Sequence, residues 1–325
     1  MVVEYLKNSD FKSWDEFVEN SPQGSIFAKS WYLDALGVDY KILVVKDKNI
    51  LKAGIVLAKN EIKTYANPML DKYLGIMFAK MDGGTHKVVS NQYKCMELIL
   101  DKIKNIATFD YYFHPAFDNW TPLSWAGFTQ QSRYTYRIEN TNKSLEEIRQ
   151  NYHTNIKRNI KNAIKNGVTI KRNIPFEELW QVVNKTFLRQ GSKAPFNKEK
   201  LRRYISILQK RGNFTSFGAY DNQNRCVAIL GLVYDSKSSY LLLNGIDVDI
   251  EVRGANAFIV DESIKYFYNI CNYYDFEGSM LPGIEQFYRR FGGELTSYMR
   301  IWNDNFFNFF KTKAKKIYKQ LRYGR

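Results

Sequence analysis

Apolar residues in the second half of the chain recur with two different periods. From 145 to 165 they fall every three or four positions, the spacing of one buried helical face, and Gly167 follows as a helix-ending residue. Three dense apolar runs separated by short polar turns then predict an antiparallel meander. The predicted strands are Phe214–Tyr220, Cys226–Tyr234 and 240–247. A helix 255–268, a strand 274–277, a helix 284–291 and a strand 296–302 complete the order.

The first half follows a related order of helices, a hairpin, a helix and a strand. The predicted helices are 10–18, 27–36 and 91–106, and the predicted strands are 41–45, 50–57 and 109–113. Ser13 and Glu16 have the spacing of a capping box, so we expect a helix to start there. The two halves predict a duplicated α/β domain, although chance similarity of two amphipathic hairpins explains the repeat nearly as well. We expect domains 1–138 and 139–303, followed by a tail, 304–325.

The composition is that of a globular protein with an unusual aromatic content. The 325 residues are 45% hydrophobic and 16% aromatic, which suits two domains of ordinary size. Neither a secretory signal nor an apolar run of membrane-spanning length is recognised. The three cysteines Cys95, Cys226 and Cys271 fit no disulfide or CxxC pattern. A cytoplasmic location is therefore expected.

The positive charge is concentrated in two segments. The formal net charge is +15, and residues 151–172 and 306–325 contain cations but no acid. These cations are Lys157, Arg158, Lys161, Lys165, Lys171, Arg172, Lys311, Lys313, Lys315, Lys316, Lys319, Arg322 and Arg325. The pattern indicates two local basic surfaces rather than a uniformly positive protein. Two solvated helix faces are an equally good interpretation.

Several kinds of chemistry lack their signatures. The three histidines are scattered, so no metal site is expected. GxSxG, GxxxxGK[ST] and GxGxxG are missing, which disfavours a serine hydrolase, a P-loop NTPase and a dinucleotide oxidoreductase. A reaction that uses an activated donor needs none of these motifs. It needs positioning, a proton acceptor and a donor to the developing oxyanion.

The segment 275–293 carries the most specific pattern. Its residues Asp-Phe-Glu-Gly-Ser-Met, followed by Gly-Ile-Glu-Gln-Phe-Tyr-Arg-Arg-Phe-Gly-Gly, resemble the DFxG…GLxxFKxxFG pattern of FemABX-like and related GNAT-type acyltransferases. The helix segment 158–167 resembles the RxxIxxA…G helix of their second domain. The segment 125–136 resembles their GF…TYxxxL segment. The polysaccharide-locus, "methicillin resistance protein"-like members are the relatives that this pattern favours.

The resemblance implies an α/β (α+β) fold of two tandem GNAT-like domains, each a mixed sheet flanked by helices. It implies that strands 240–247 and 274–277 part, so that an activated donor reaches their backbone. The donor would be an acyl-CoA or an aminoacyl-tRNA acting as co-substrate, with no permanently bound cofactor. The donor-binding candidates are Asn244, Gly245, Arg253, Gly254, Ala255 and Asn256. The last four lie where a helix N-terminus would hold phosphates, although a simple helix start also explains them. For Asn244 and Gly245 the alternative is a tight turn.

The remaining candidates surround the same strand end. Glu277 is the proposed general base, with an end-of-strand cap as the alternative. Tyr288 stands where the family pattern has lysine, and Arg289 follows it. We expect the two to stabilise an oxyanion or bind phosphate, with a solvated helix face as the alternative. Arg158, Asp275 and Ser279 are the candidates for substrate binding.

These observations favour an N-acyltransferase acting on an amino group of a cell-envelope glycan precursor, such as a nucleotide-linked or lipid-linked amino sugar. An aminoacyl-tRNA-dependent peptidoglycan peptidyltransferase is the alternative enzyme. A non-enzymatic adaptor that binds RNA or an anionic membrane is the alternative of another class. The basic aromatic segment 306–325 suits peripheral contact with the inner membrane, contact with tRNA phosphate, or a packed terminal helix.

Overall fold

A computed structural model of the chain describes residues 1–106, 108–189, 191–247, 249–250, 252–278 and 280–303. The chain divides into two compact units. Among the described residues, unit 1 contains Met1–Arg133 and 298–303, and unit 2 contains Tyr134–Ser297. The predicted tail 304–325 and the candidate Ser279 lie outside the described residues.

Both units mix helices with strands, as the sequence predicts. The α-helices of the described residues, α1 to α10, are Phe11–Asn20, Ser30–Leu36, Thr85–Ile103, Thr121–Trp125, Leu145–Gln150, Thr154–Lys165, Phe176–Arg189, Lys198–Arg211, Ala255–Phe267 and Pro282–Arg289. The strands, β1 to β13, are Val2–Tyr5, Tyr40–Asp47, Ile50–Ala58, Tyr65–Ala66, Ile76–Phe78, Phe109–Tyr112, Phe128–Glu139, Thr169–Arg172, Phe214–Tyr220, Cys226–Tyr234, Ser238–Ile246, Tyr273–Asp275 and Glu294–Asn303.

Unit 1 is built on an antiparallel sheet in the order β1-β2-β3-β5. The strand β6 pairs with β4 on one side and with the end of β13 on the other. The buried indole of Trp14 anchors helix α1, because its nitrogen donates to the carbonyl of Ala28 at 2.8 Å. Gly54 on β3 leaves room for this indole, since a Cβ there would lie 2.5 Å from the ring.

Unit 2 contains a mixed sheet in the order β7-β12-β11-β10-β9-β8. The strands from β8 to β11 are antiparallel, as a meander requires. The strands β11 and β12 are parallel, and a parallel pair needs a crossover connection. The buried helix α9 lies between them in the chain and supplies this crossover. Its face packs with β9 and β10 in the core of the unit.

The predicted meander is confirmed, and two predicted strands have the bounds of β9 and β10. The single helix predicted over 145–165 is wrong, because α5 ends at Gln150 and α6 begins at Thr154. The break is held by backbone from another part of unit 2: His153 N donates to the carbonyl of Arg290 at 2.8 Å. The His153 ring then caps α6 by accepting from Asn155 N.

The predicted capping box at Ser13 is also wrong. Ser13 lies inside α1, and its hydroxyl donates to the carbonyl of Asp10 at 2.7 Å. A capping box does occur at the start of α5, where Ser144 accepts from Glu147 N and Glu147 accepts from Ser144 N. Both segments have the same Ser-x-x-Glu spacing, so spacing alone does not locate the helix start.

The unit boundaries differ from the predicted domain limits. The predicted boundary after residue 138 falls inside β7, a strand that the sequence interpretation did not recognise. The predicted second domain runs to residue 303, whereas the chain returns to unit 1 at Tyr298. The cause is strand pairing: β13 continues past Tyr298, and there Arg300 pairs with Tyr112 of β6.

Candidate functional site

The strand β11 extends beyond its parallel neighbour β12 in unit 2. Their parallel register begins at Ser238↔Tyr273 and, among the described residues, ends at Tyr240↔Asp275. The strand β11 nevertheless continues to Ile246, and from Leu241 onward it is paired with β10. No strand of the described residues pairs with the other side of this stretch. The predicted parting of strands 240–247 and 274–277 stays a prediction, because β12 is paired with β11 along its whole length and ends at Asp275. The part of β11 beyond it, 241–246, is called the separated stretch below.

A β-bulge lies at the start of the separated stretch. Gly231 of β10 pairs with Leu243, but Leu232 pairs with Leu241, which makes Leu242 an extra residue in β11. A bulge bends its strand and interrupts the regular ladder. Leu242 lines the cavity described next, so the irregular backbone is part of the site.

The separated stretch borders a cavity of about 460 Å³. Its walls come from the end of α7, the separated stretch of β11, the first turn of α9 and one face of α10. The described residues that line it are Thr186, Arg189, Leu241, Leu242, Asn244, Gly245, Ile246, Asn256, Gly283, Ile284, Phe287 and Tyr288. The size suits part of a small-molecule substrate. The structure thus brings together Asn244, Gly245, Asn256 and Tyr288 of the predicted site.

Tyr288 provides the most distinctive group in this cavity. Its side chain is 7% exposed and packs on Phe276, with ring centroids 5.0 Å apart. Its hydroxyl is hydrogen-bonded to the Asn244 side chain. Burial raises the pKa of Tyr288 to about 12, and the nearby charge of Glu277 adds to the increase. The hydroxyl therefore stays protonated at neutral pH and can donate a hydrogen bond.

Glu277 lies in a turn rather than at the end of a strand. The strand β12 ends at Asp275, and Glu277 has a φ of 58°, in the left-handed region. Gly278 follows with a φ of 64°, and a Cβ there would lie 2.1 Å from the carbonyl oxygen of Tyr134. Glu277 is close to Tyr288, because its charge affects the pKa of that residue. It is not among the residues that line the cavity.

Asp275 holds this turn in place. It is fully buried, and its Oδ1 accepts from the Thr135 hydroxyl at 2.6 Å and from Glu277 N at 2.8 Å. Its Oδ2 lies 3.6 Å from Nε of Arg137. These contacts occupy the carboxylate with protein groups, and substrate binding by Asp275 stays a prediction. A carboxylate with these contacts positions Glu277.

Solved structures with similar folds place this geometry in context. A crystal structure of FemX aligns with a TM-score of 0.67 and 14% identity, over 92% of this chain and 97% of that chain. The C-terminal domain of a putative lysylphosphatidylglycerol synthetase from Agrobacterium fabrum gives a TM-score of 0.57 and 10% identity, over 92% and 93%. A tandem GNAT protein from the clavulanic acid biosynthesis pathway gives 0.53 and 9%, over 92% and 97%.

The chain has a FemABX-like, tandem-GNAT fold. The predicted resemblance and fold class are confirmed. No protein-family model and no curated protein matches the sequence. Identities this low show the fold alone, so the chemistry of the FemABX-like chain has to be argued from its own residues.

In this FemABX-like fold, the N-terminus of α9 contributes to the cavity through one residue. Gly254 has a φ of 90°, and a Cβ there would lie 2.0 Å from the carbonyl oxygen of Asn159 on α6. Helix packing therefore requires this glycine. Ala255 is buried, whereas Asn256 lines the cavity, and its buried Oδ1 has no hydrogen-bond partner among the described residues. Arg253 is exposed and lines a different cavity.

Gly245 also has a packing role. A Cβ there would lie 3.1 Å from the Thr186 hydroxyl and 3.3 Å from the Val182 carbonyl oxygen, so α7 lies directly on β11. Ile246 N donates to the Thr186 hydroxyl at 3.1 Å, which satisfies one backbone group of the separated stretch. Gly245 therefore contributes to the cavity by allowing α7 to approach β11 closely.

Two predicted arginines lie outside the cavity. Arg289 is exposed, and its Nε is 3.6 Å from Glu285, whose carboxylate also accepts from Tyr136 at 2.5 Å. Arg158 is exposed and donates to the Asn155 side chain at 3.0 Å. Neither guanidinium is among the residues that line the cavity, and the oxyanion role of Arg289 and the substrate role of Arg158 stay predictions.

Sequence reasoning missed Arg189 and Thr186. Arg189 ends α7 and carries the only formal charge among the described residues that line the cavity. A cation in the last turn of a helix is favoured by the helix dipole alone, so the local sequence does not mark it as functional. No group of three or more His, Cys, Asp or Glu side chains suited to a metal occurs among the described residues. Over the same residues, no helix is long and apolar enough to cross a membrane.

Proposed function

We propose that this chain is an acyltransferase that moves an acyl group from an activated donor to an amine. One observation carries the proposal: β11 runs on beyond the end of β12 at Asp275, and the cavity beside this part of β11 is lined by Asn244 and Tyr288. This arrangement offers backbone groups for a donor arm together with a neutral hydrogen-bond donor. Such positioned donors stabilise the charge that develops in acyl transfer.

The roles follow from the balance of the reaction. The amine nitrogen bonds to the donor carbonyl carbon, the bond from that carbon to sulfur or oxygen breaks, and a proton leaves the amine. Tyr288 is protonated at neutral pH, so it would donate to the carbonyl oxygen or to the leaving group. Glu277, whose carboxylate is near Tyr288, is the proposed proton acceptor.

The proposed acceptor is an amino group of a cell-envelope glycan precursor, such as a nucleotide-linked or lipid-linked amino sugar. The support is the resemblance of segment 275–293 to the polysaccharide-locus acyltransferases. An aminoacyl-tRNA-dependent transferase of FemX type is the second candidate, and the similarity to the FemX fold favours it. The family pattern has lysine where this chain has Tyr288, and Arg289 points away from the cavity, which disfavours it.

A substitution of Glu277 tests the proton-acceptor role. Glu277→Gln keeps the size of the side chain but removes the base, so turnover should fall by about 100-fold or more, as general bases typically contribute. Glu294→Gln, at an exposed site in the same unit, is the matched control and should keep full turnover. Thermal unfolding checks that both variants are folded. Wild-type turnover in Glu277→Gln would remove the base assignment.

The donor and acceptor are best identified by a binding screen. The purified chain would be heated with acyl-CoAs, charged tRNA or nucleotide amino sugars, and the melting temperature recorded. A ligand that binds only the folded chain raises its melting temperature. An increase with charged tRNA that disappears steeply with salt would favour the FemX-type alternative, because phosphate contacts release counterions.

A further inference from the structure

We propose that the cavity beside Tyr288 accepts the hydrocarbon chain of a medium-length acyl donor, which enters over the start of α10. This inference rests on the proposed function and names the class of acyl group. Its starting point is a run of exposed apolar side chains that precedes and includes the lining residue Ile284, and this run is called the apolar mouth below. Met280, Leu281 and Ile284 are 55%, 63% and 38% exposed.

These side chains form a graded path from solvent to the proposed reaction site. Leu281, Ile284 and Tyr288 follow one another at intervals of three and four residues, so they share one face of α10. Exposure falls along this face from Leu281 to Ile284 and then to Tyr288, which is 7% exposed. Ile284 also lines the cavity, so the exposed and buried parts are continuous. The path from Leu281 to Tyr288 is about 10 Å long at the helical rise.

The charges around the cavity favour an uncharged acyl chain over an aminoacyl group. An aminoacyl donor carries an ammonium, and a cation in a partly dry cavity needs a nearby anion. The single charged side chain among the described lining residues, Arg189, has the same sign as an ammonium, and the carboxylate of Glu277 is needed in the proposed reaction to accept the proton of the acceptor amine. An aliphatic chain needs no such partner. It would also cover the apolar surface that Leu281 and Ile284 expose.

Gly283 determines how much room the chain has. It lines the cavity within the first turn of α10, and a Cβ built there meets nothing within 4 Å. A larger side chain at this position would therefore occupy open space instead of clashing with the protein. Since glycine weakens a helix, the substitution is not expected to unfold unit 2.

The test measures binding, so that it does not depend on turnover. Two thioester probes without a nucleotide, S-octanoyl- and S-acetyl-N-acetylcysteamine, are titrated into the full chain by calorimetry. The octanoyl probe should bind at least about tenfold more tightly, because every buried methylene favours binding. Gly283→Leu and Leu281→Ser should each remove most of this preference. The matched controls Gly84→Leu, also at an uncrowded glycine, and Leu295→Ser, 56% exposed, should keep it.

Three outcomes would overturn the inference. The first is equal binding of the two probes. The second is an octanoyl preference that survives both Gly283→Leu and Leu281→Ser. The third is that the apolar mouth contacts a membrane instead of an acyl chain. In the last case, Leu281→Ser would weaken sedimentation with phosphatidylglycerol vesicles while leaving probe binding unchanged. Transfer of acetyl groups without a chain-length preference would leave the proposed function standing and remove only this inference. Octanoyl binding without any acyl transfer would leave this inference standing and remove the proposed function.

Discussion

The side chain of Tyr288 combines two properties that a hydrogen-bond donor in acyl transfer needs. It is buried against Phe276, which fixes the ring, and its hydroxyl is oriented by Asn244. Burial raises its pKa to about 12, so the group holds its proton where an exposed tyrosine begins to lose it, near pH 10. The proton therefore contributes fully to stability below about pH 10, and this contribution is lost as the pH rises towards 12.

Tyr288→Phe removes the hydroxyl and keeps the ring packing. Turnover should fall by about 100-fold, as for loss of one oxyanion donor, while stability should change by only about 1 kcal/mol. The ratio of wild-type to variant turnover should be constant between about pH 6 and pH 10, because Tyr288 does not titrate there. A pH–rate profile with both proteins measures this. A ratio that collapses near pH 8 would show that the hydroxyl is not the donor.

Two predicted site residues come together in the structure, but a chain neighbour that was grouped with one of them does not join them. Asn244 and Tyr288 were predicted as site residues, and the structure brings them together. Arg289 was grouped with Tyr288 because the two are adjacent, but adjacent residues on a helix point in different directions. Arg289 pairs with Glu285 on another side of α10. Arg189 was missed because it reaches the cavity only through the packing of α7 on β11.

The contact between α6 and α9 depends on a single glycine. Gly254 lies at the start of α9, and a Cβ there would meet the Asn159 carbonyl oxygen at 2.0 Å, with further backbone atoms of Asn159 within 3.1 Å. Because backbone atoms cannot rotate away, one of the two helices would have to shift. Asn256 follows two residues later, so such a shift would also move a wall of the cavity.

Gly254→Ala should therefore cost more than backbone strain alone. Gly212, at the end of α8 in the same unit, also has a positive φ but meets nothing within 4 Å, so Gly212→Ala measures the strain, about 1 kcal/mol. Gly254→Ala should lower the free energy of unfolding by roughly 2 kcal/mol more, the cost of overpacking. Urea denaturation compares them. Equal losses in the two variants would show that α9 does not need this close approach.

Strands and helices were predicted where local signals agree. The strands β9 and β10 are mainly apolar and end at polar turns, so their bounds follow from the sequence. The strand β7 was not recognised, because its first part, 129–134, is mainly polar. The break between α5 and α6 was invisible for a different reason: the carbonyl of Arg290, far away in the chain, holds it. Long-range backbone contacts leave no local pattern.

The positions of the cations in residues 151–172 bear on the alternative that the chain is a non-enzymatic adaptor. Three cations of 151–172, Lys157, Lys161 and Lys165, recur every four residues along α6 and therefore share one helical face. Lys157 and Lys161 line one cavity, Lys165 lines another, and Lys171 lies over the ring of Tyr220 while donating to Asn224. Unit 2 therefore has a basic face on α6 that does not gather all the cations of 151–172.

Deleting 306–325 removes the other basic segment and leaves the proposed cavity residues intact. If the chain is an acyltransferase, turnover on a soluble acceptor should stay within about twofold of the full chain, because the reaction depends on unit 2. Sedimentation with anionic vesicles should fall at the same time, since each basic residue near such a surface contributes about 1 kcal/mol. A non-enzymatic adaptor would lose its function with the segment. Loss of turnover in a deletion variant that remains folded by thermal unfolding would require a catalytic role for 306–325, and the assignment of the reaction to unit 2 alone would fall.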